Sequence, residues 1–374
     1  MQLSVIILNY NVRYFLEQCV FSVQKALEGI DGEIIVIDNA SSDDSCEMMK
    51  TKFPHIKLIE NEANLGFPKG NNIGVAQAKG EYICILNPDT VVAEDTFTSI
   101  LNSQLPTSNS QLGIIGCKLI DGAGNFLPES KRGVPTPWVA FTKIFGLYKI
   151  SNYFGKYYAQ HLSENESGKV DILVGAFMVM KRELYLEIGG FDENCFMYSD
   201  DIDLSYLVLK TGKSNYYFHE TSVIHYKGES TVRDGTYMKR FREAMQFFYK
   251  KHFKKSRFFD VMMQVGSFVF SLLKKNQQKN EVRIIDEYIV FSRKNLELNL
   301  SKKATYLADF NQFVNQSHKN IEIIFDTTTF SFAEIITFMQ LNKSKNLSFK
   351  NYISSSNYLI GSNNSNDRGQ IILL

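Results

Sequence analysis

The chain opens as an alternation of short apolar runs and longer segments of helical periodicity. Residues 3–8 form an apolar run, and residues 12–27 repeat apolar side chains at helical spacing through Phe15, Leu16, Cys19, Val20, Val23 and Leu27. Residues 33–38 give a second buried strand that stops at an acidic residue, Asp38. A polar turn over 39–45 leads into a helix ending near Lys52 and a strand at 56–60. A loop over 64–72, Asn64-Leu65-Gly66-Phe67-Pro68-Lys69-Gly70-Asn71-Asn72, opens the next helix. Tyr82-Ile83-Cys84-Ile85-Leu86 then reads as a further buried strand, followed at once by Asn87-Pro88-Asp89. Short apolar strands separated by helices predict an α/β fold with a mostly parallel, doubly wound sheet. In such sheets ligands bind beyond the carboxyl ends of the strands. Tyr10, Asp38, Asn64 and Asp89 all fall at or just after those ends.

Taken one at a time, these residues have plainer readings. Asp38 to Asp43 reads equally as a turn with a helix N-cap, because Asp, Asn and Ser satisfy free N–H groups there. The glycines between Asn64 and Gly74 read as permitting tight turns, and Asn87-Pro88-Asp89 as a strand-to-turn junction. His225, alone, reads as a core histidine. A second acidic site is harder to explain away. Phe196-Met197-Tyr198-Ser199-Asp200-Asp201-Ile202-Asp203-Leu204 concentrates carboxylates in an apolar stretch, which is unfavourable unless a cation or a proton-transfer task offsets it. A carboxylate at a strand exit and this second cluster suit a divalent metal and a base around one phosphorylated substrate.

With 374 residues, 44% hydrophobic and 22% charged, the chain has room for two domains or one large domain with an appendage. The formal net charge of +1 leaves any affinity for anionic surfaces to local patches. Five scattered cysteines without a CxxC pair predict free thiols in a reducing, cytoplasmic setting. The first residues carry neither a basic n-region nor a cleavage site, so no signal peptide is expected.

In their order along the chain the motifs identify a family. Val5-Ile6-Ile7-Leu8-Asn9-Tyr10-Asn11, Val36-Ile37-Asp38-Asn39-Ala40-Ser41-Ser42-Asp43, Asn64-Leu65-Gly66-Phe67, Asn71-Asn72-Ile73-Gly74 and Asn87-Pro88-Asp89 resemble the donor half of family-two glycosyltransferases. Gly189-Gly190-Phe191-Asp192-Glu193, Asp200-Asp201-Ile202-Asp203-Leu204 and His225-Tyr226-Lys227-Gly228 resemble the acceptor half. The likeness covers about residues 1–232 and is to the bacterial rhamnosyltransferase-like branch. It implies the GT-A fold, a dTDP- or UDP-sugar donor, Mn²⁺ or Mg²⁺, and inversion at the anomeric carbon. It further implies that Tyr10 stacks near the base, that Asp38 accepts from the base N3–H, and that Asn64 and the backbone from Gly66 to Gly70 line the nucleotide. Asn87 stands at the family's DxD motif, of which only the last carboxylate, Asp89, is kept. The resemblance makes Asp89 and His225 the metal ligands, Asp201 the base, Asp200 its neighbour where relatives commonly have Glu, and Lys69, if it points inward, a partner of the diphosphate. Leu207 stands where many relatives carry Arg.

The remaining segments are less specific. Residues 139–158, after Pro135-Thr136-Pro137-Trp138, are rich in aromatics and lysines and read as an acceptor-facing flap, an interfacial segment or a packed element. Residues 237–255 are strongly basic, and residues 258–273 are apolar but span only about 24 Å as a helix, too short to cross a bilayer. Together they predict a segment, 233–275, lying on an anionic membrane surface. Residues 276–374 read as a small α/β appendage with strands at 284–291, 321–325 and 358–361 and a helix at 331–341, serving docking or homo-oligomerisation. The expected protein is therefore a cytoplasmic enzyme at the inner face of the cell membrane, extending a glycan on a polyprenyl-diphosphate lipid in polysaccharide biosynthesis. No nucleic-acid partner is expected. A nucleotidyltransferase would need a basic phosphate loop after the first strand, which Asn9-Tyr10-Asn11-Val12 does not offer. A non-catalytic sugar-nucleotide-binding scaffold is the other alternative.

Overall fold

A computed structural model describes residues 1–103, 111–144, 146–227, 235–253, 283–316, 318–363 and 369–374. The first part alternates as expected: β1 (Leu3–Asn9), α1 (Arg13–Ala26), β2 (Gly32–Asp38), α2 (Ser45–Lys52), β3 (Lys57–Glu60), α3 (Phe67–Ala76) and β4 (Tyr82–Leu86). Then come β5 (Thr90–Val91), α4 (Thr96–Leu101), β6 (Leu112–Ile120), α5 (Pro137–Ile144), β7 (Gly168–Val170), β8 (Phe177–Lys181), α6 (Arg182–Glu187), α7 (Asp200–Lys210), β9 (Ser214–His225) and α8 (Gly235–His252). These strands build one nine-stranded sheet in the order β3-β2-β1-β4-β8-β6-β9-β5, with β7 paired to β9. β1, β2, β3, β4, β6 and β9 run one way and β5, β7 and β8 the other, which is the mostly parallel α/β sheet the alternation predicts. β1, fully buried, lies between β2 and β4, so its apolar run is covered on both faces.

One sequence expectation needs correcting. The segment over 64–72 is not all loop: α3 begins at Phe67, so Lys69, Gly70, Asn71 and Asn72 are helical. Only Gly66, at φ +82°, takes the left-handed backbone that favours glycine. Gly70 and Gly74 serve packing instead. A Cβ on Gly70 would collide with Leu8, and one on Gly74 would lie 2.5 Å from Ile37, so the two glycines let α3 settle on β1 and β2.

The remaining elements are β10 (Glu287–Phe291), β11 (Ala304–Leu307), β12 (Ile321–Asp326), α9 (Phe332–Leu341), β13 (Leu347–Ile353), β14 (Tyr358–Gly361) and β15 (Gln370–Leu373). They form a second sheet, β11-β10-β12-β13-β14-β15, parallel through β13 and antiparallel beyond it. This unit is bound tightly to the first. One apolar cluster joins Phe15, Val91, Ile224 and Tyr226 to Phe291, Phe325, Phe332 and Phe349. The Glu94 carboxylate accepts from the Phe332 and Ala333 N–H groups, both at 2.9 Å, which satisfies free donors at the start of α9. Tyr358 donates to the Tyr14 carbonyl at 3.0 Å.

Of the segment expected on a membrane, residues 254–275 lie outside the described residues. Where the basic run is described, two of its residues already have acidic partners. Lys251 pairs with Asp192 at 2.7 Å and Asp203 at 2.8 Å, and His252 contacts Asp203 at 2.5 Å. Among the described residues no helix is long and apolar enough to cross a membrane.

Candidate active site

A cleft of ≈ 310 Å³ opens beyond the carboxyl ends of β1, β2 and β4, a size suited to a small ligand. Its walls include Tyr10, Asn64, Gly66, Asn87, Asp89, Asp200, Asp201 and His225, residues drawn from five separate stretches of sequence. Two of the sequence candidates stand elsewhere. Lys69 is exposed on the first turn of α3 and is not part of the wall. Asp38 is buried behind the wall, accepting from Asn9 Nδ2 at 2.7 Å and from the Ser41 N–H at 2.8 Å. Its nearer consequence is the shape of the β2 exit.

The wall built from Asn39, Asn64 and Gly66 is organised by amides. Asn39 donates to Asn64 Oδ1 at 3.3 Å and to the Gly66 carbonyl at 3.2 Å, while the Gly66 N–H returns to Asn64 Oδ1 at 3.0 Å. Phe67 N–H bonds the Phe196 carbonyl at 3.0 Å, joining this wall to the acidic loop. A side chain on Gly66 would meet that carbonyl at 2.8 Å.

At the β4 exit, Asp89 Oδ1 lies 3.4 Å from His225 Nε2. Both are buried, and antiparallel pairing of Thr90 with His225 fixes their spacing. The Tyr226 N–H bonds the Asp89 carbonyl at 3.0 Å. Asn87 Oδ1 and His225 Nδ1 are buried without a hydrogen-bond partner. A carboxylate and an imidazole nitrogen at this spacing, beside an unpaired amide oxygen, form a donor set that fits one divalent cation with open positions for substrate oxygens and water. Among the described residues no group of three or more His, Cys, Asp or Glu is placed to hold a metal ion.

The opposite wall is the start of α7, where Ser199 stands at the N-cap position and its hydroxyl donates to the Ala244 carbonyl at 2.9 Å. Asp201 Oδ2 accepts from Arg132 at 2.5 Å and from the Gly175 N–H at 3.1 Å. Gly175 sits hard against this carboxylate, since a Cβ there would lie 3.3 Å from that of Asp201. Burial, and then the charge of Asp201, push the Asp200 carboxyl up to about 7. Asp203, on the same turn, is buried against Lys251 and His252 and takes no part in the cleft wall. Tyr198 (φ +81°) and Lys227 (φ +66°) both adopt left-handed backbone while lining the cleft. Such strain in non-glycine residues concentrates at functional sites. Lys227 forms an ion pair with Glu129, whose carboxyl burial would raise but which the lysine charge holds below its ordinary range.

Arg132, Asn39, Lys227 and Tyr198 were not legible as site residues. Arg132 is 69 positions from Asp201, and its local context, Lys131-Arg132-Gly133, resembles any basic turn.

The raised Asp200 carboxyl carries a stability consequence. An acid whose folded value lies near 7, against 3.8 ordinarily, binds more protons folded than unfolded between those limits. Native stability is therefore lost as pH rises from about 4 to about 7 through this group. Asp200→Asn, always neutral, should lose less. Denaturant midpoints should show the variant gaining on the native chain between pH 5 and pH 8, and a pH-independent difference would refute the effect.

A family model described as Glycosyl transferase family 2 matches residues 4–189. An N-acetylglucosaminyl-diphospho-decaprenol L-rhamnosyltransferase of Mycobacterium tuberculosis is 26% identical over 245 residues, 62% of this chain and 78% of that protein. A low-salt glycan biosynthesis hexosyltransferase of Haloferax volcanii is 26% identical over 208 residues, 54% of this chain and 60% of its own. A mannosyltransferase of Pyrobaculum calidifontis, solved with GDP-Man and Mn²⁺, superposes with a TM-score of 0.47 at 16% identity, over 74% of this chain and 76% of that one. With the motifs, the family match and the α/β sheet in agreement, residues 4–189 of this chain are a glycosyl transferase family 2 domain.

Proposed function

We propose that the chain is an inverting, divalent-metal-dependent hexosyltransferase that moves a sugar from a dTDP- or UDP-sugar to a lipid-linked glycan acceptor in cell-surface polysaccharide synthesis. The observation that carries this reading is the single cleft between two chemically distinct walls, Asp89 with His225 on one side and Asp200 with Asp201 on the other. Asn64 and the Gly66 backbone, held by Asn39, offer polar groups to a nucleotide, and Tyr10 offers a half-buried ring. Asp89 and His225, with Asn87 beside them, would hold Mn²⁺ or Mg²⁺, which supplies charge stabilisation to a departing diphosphate. Asp201 would take the proton of the acceptor hydroxyl. Both bonds it receives fall on Oδ2, which leaves Oδ1 for that task. Residues 1–232 would carry the chemistry, and residues 276–374 would brace it, since Asn351 donates to the Tyr226 hydroxyl at 3.3 Å beside His225.

The lipid-linked acceptor is favoured by the M. tuberculosis relative, whose name specifies a decaprenol-diphosphate acceptor. An acceptor of that kind calls for a membrane contact. It would come through residues 250–275 or through the segment after Trp138, where Trp138, Ile150 and Tyr153 are exposed. Anionic vesicles should retain the full chain at low salt and release it as salt rises. Equal retention of a chain ending at Thr236 would move the contact to the Trp138 segment, and no retention of the full chain would remove it.

The donor is tested by thermal shift with a panel of nucleotide sugars and Mn²⁺, since ligands that prefer the folded state raise its melting temperature. A dTDP- or UDP-sugar should stabilise the protein most, and more with the metal than without it. Equal stabilisation without metal by every nucleotide tested would defeat the reading.

A further inference from the structure

Arg132 and Asp201 form a buried ion pair, both less than a tenth exposed, at 2.5 Å. Burying two charges is costly and is offset only where the geometry and the accompanying hydrogen bonds are good. Here the accompanying bonds are specific. The Arg132 Nη2 that meets Asp201 also donates to the Leu173 carbonyl at 3.1 Å. The Tyr157 phenol lies within electrostatic reach of the guanidinium and of Lys143. Lys143 lies 3.5 Å from the centre of the Tyr157 ring. Backbone pairing reinforces the connection, because the Gly133 N–H donates to the Tyr157 carbonyl at 3.1 Å and Arg132 pairs with Ile172 in both directions. Tyr157 lies under opposing influences: burial raises its phenol, and the Lys143 and Arg132 charges pull it below its ordinary value. A continuous chain, Asp201–Arg132–Tyr157–Lys143, therefore runs from the cleft wall into the aromatic segment 135–158.

We propose that Arg132 is the positioning residue for the Asp201 carboxylate, and that Tyr157 and Lys143 couple that position to the 135–158 segment. The inference rests on Asp201 being the base. The guanidinium and the Gly175 N–H both engage Oδ2, which fixes the plane of the carboxylate and turns Oδ1 toward the remaining space. Without Arg132 the carboxylate loses its aim. Misplacing a reacting group by a fraction of its bond reach lowers turnover far more than binding. Where the acceptor orders the 135–158 segment, the same chain would bring the base to its working position.

The test uses the full chain with the nucleotide sugar selected by the thermal-shift panel, reading donor hydrolysis, and UDP and dTDP binding with Mn²⁺ as the control. Arg132→Met should lower kcat on the order of a hundredfold and leave KM and nucleotide binding within about twofold. Arg132→Lys should recover about tenfold of that loss, because it returns the charge without the planar fork. Tyr157→Phe should lower kcat by about threefold, because it removes the phenol oxygen that the guanidinium charge faces. The decisive comparison is a double-mutant cycle: in the Asp201→Asn background, Arg132→Met should cost nothing further. An Arg132→Met effect that falls on nucleotide affinity, or that persists undiminished in that background, would overturn the proposal by making Arg132 a substrate contact. Near-native kcat in Arg132→Met would overturn it as well. Failure of the base assignment itself is told apart by the Asp201→Asn single variant, which would then hydrolyse donor at the native rate. Should Arg132→Met not fold, Arg132→Lys and Tyr157→Phe carry the test, and unchanged kcat in both would refute the coupling.

Discussion

Asp201→Asn should reduce transfer by at least about a hundredfold while metal and nucleotide binding persist, because the amide keeps the shape of the carboxylate and removes its basicity. The structure sharpens this expectation in two ways. First, the Gly175 N–H can still donate to the amide oxygen, so the α7 start is expected to hold its place. Second, Asp200 is pushed up to about 7 by burial and then by the charge of Asp201, so neutralising Asp201 should bring Asp200 down and make it a stronger candidate for residual activity. Asp200→Asn alone should cost less, and Asp200→Glu should be tolerated. The double variant should remove whatever activity survives in Asp201→Asn. Should Asp200→Asn be inactive and Asp201→Asn near native, the base is one residue earlier than assigned. Asp203 offers no fallback, since it is buried against Lys251 and His252 away from the cleft. Rates are to be measured with native, single and double variants at one saturating donor concentration, with nucleotide affinity measured separately.

The parts of this site that were legible in sequence are those encoded locally. β1, β2 and β4 are apolar runs that stop at polar residues, and a parallel sheet sends those ends to one edge. Asp89 could be located for that reason, whereas Asp201 was placed by the cluster of carboxylates in an apolar stretch and by the family resemblance. Lys69 shows the limit of the method. Its neighbours Gly66 and Gly70 suggest a loop, but Gly70 is there to let α3 approach Leu8, and a helical Lys69 points to solvent. The Arg132–Asp201 pair, 69 residues apart, leaves no periodic trace at all. In the second sheet, the strand Leu347–Ile353 was missed because Ser348, Lys350 and Asn351 give it the composition of a loop. All three are buried, and each meets a polar partner across an element: Ser348 and Lys350 with Glu322, Asn351 with Tyr226. Buried polar residues with distant partners are what a single sequence conceals. For the same reason the reading of 276–374 as a docking appendage could not foresee that its core is continuous with α1, β5 and β9.

Asp89→Ala should remove Mn²⁺-dependent binding of UDP and dTDP and, with it, transfer. Asp89 and His225 are the two buried groups whose donor atoms, 3.4 Å apart, can face one cation, and Asp89 is the one that brings a full negative charge. Outer residues that merely orient a ligand commonly cost 10–100-fold in metal affinity when removed, so loss of a charged ligand should cost about a hundredfold or more. His225→Ala should weaken the metal less, because a neutral imidazole contributes no net charge. The geometry also bears on how cleanly the variants can be read. The Tyr226 N–H bonds the Asp89 carbonyl and Thr90 pairs with His225, both through backbone, so neither truncation removes a link that joins β5 to β9. The scaffold should survive, and metal-independent nucleotide binding through the Asn39–Asn64 wall should remain measurable by calorimetry in both variants. A folded Asp89→Ala protein that still binds nucleotide more tightly with Mn²⁺ than without it would place the cation elsewhere. In that event the 3.4 Å contact only fastens the end of β9, and its removal should appear as a fall in melting temperature with the metal dependence intact.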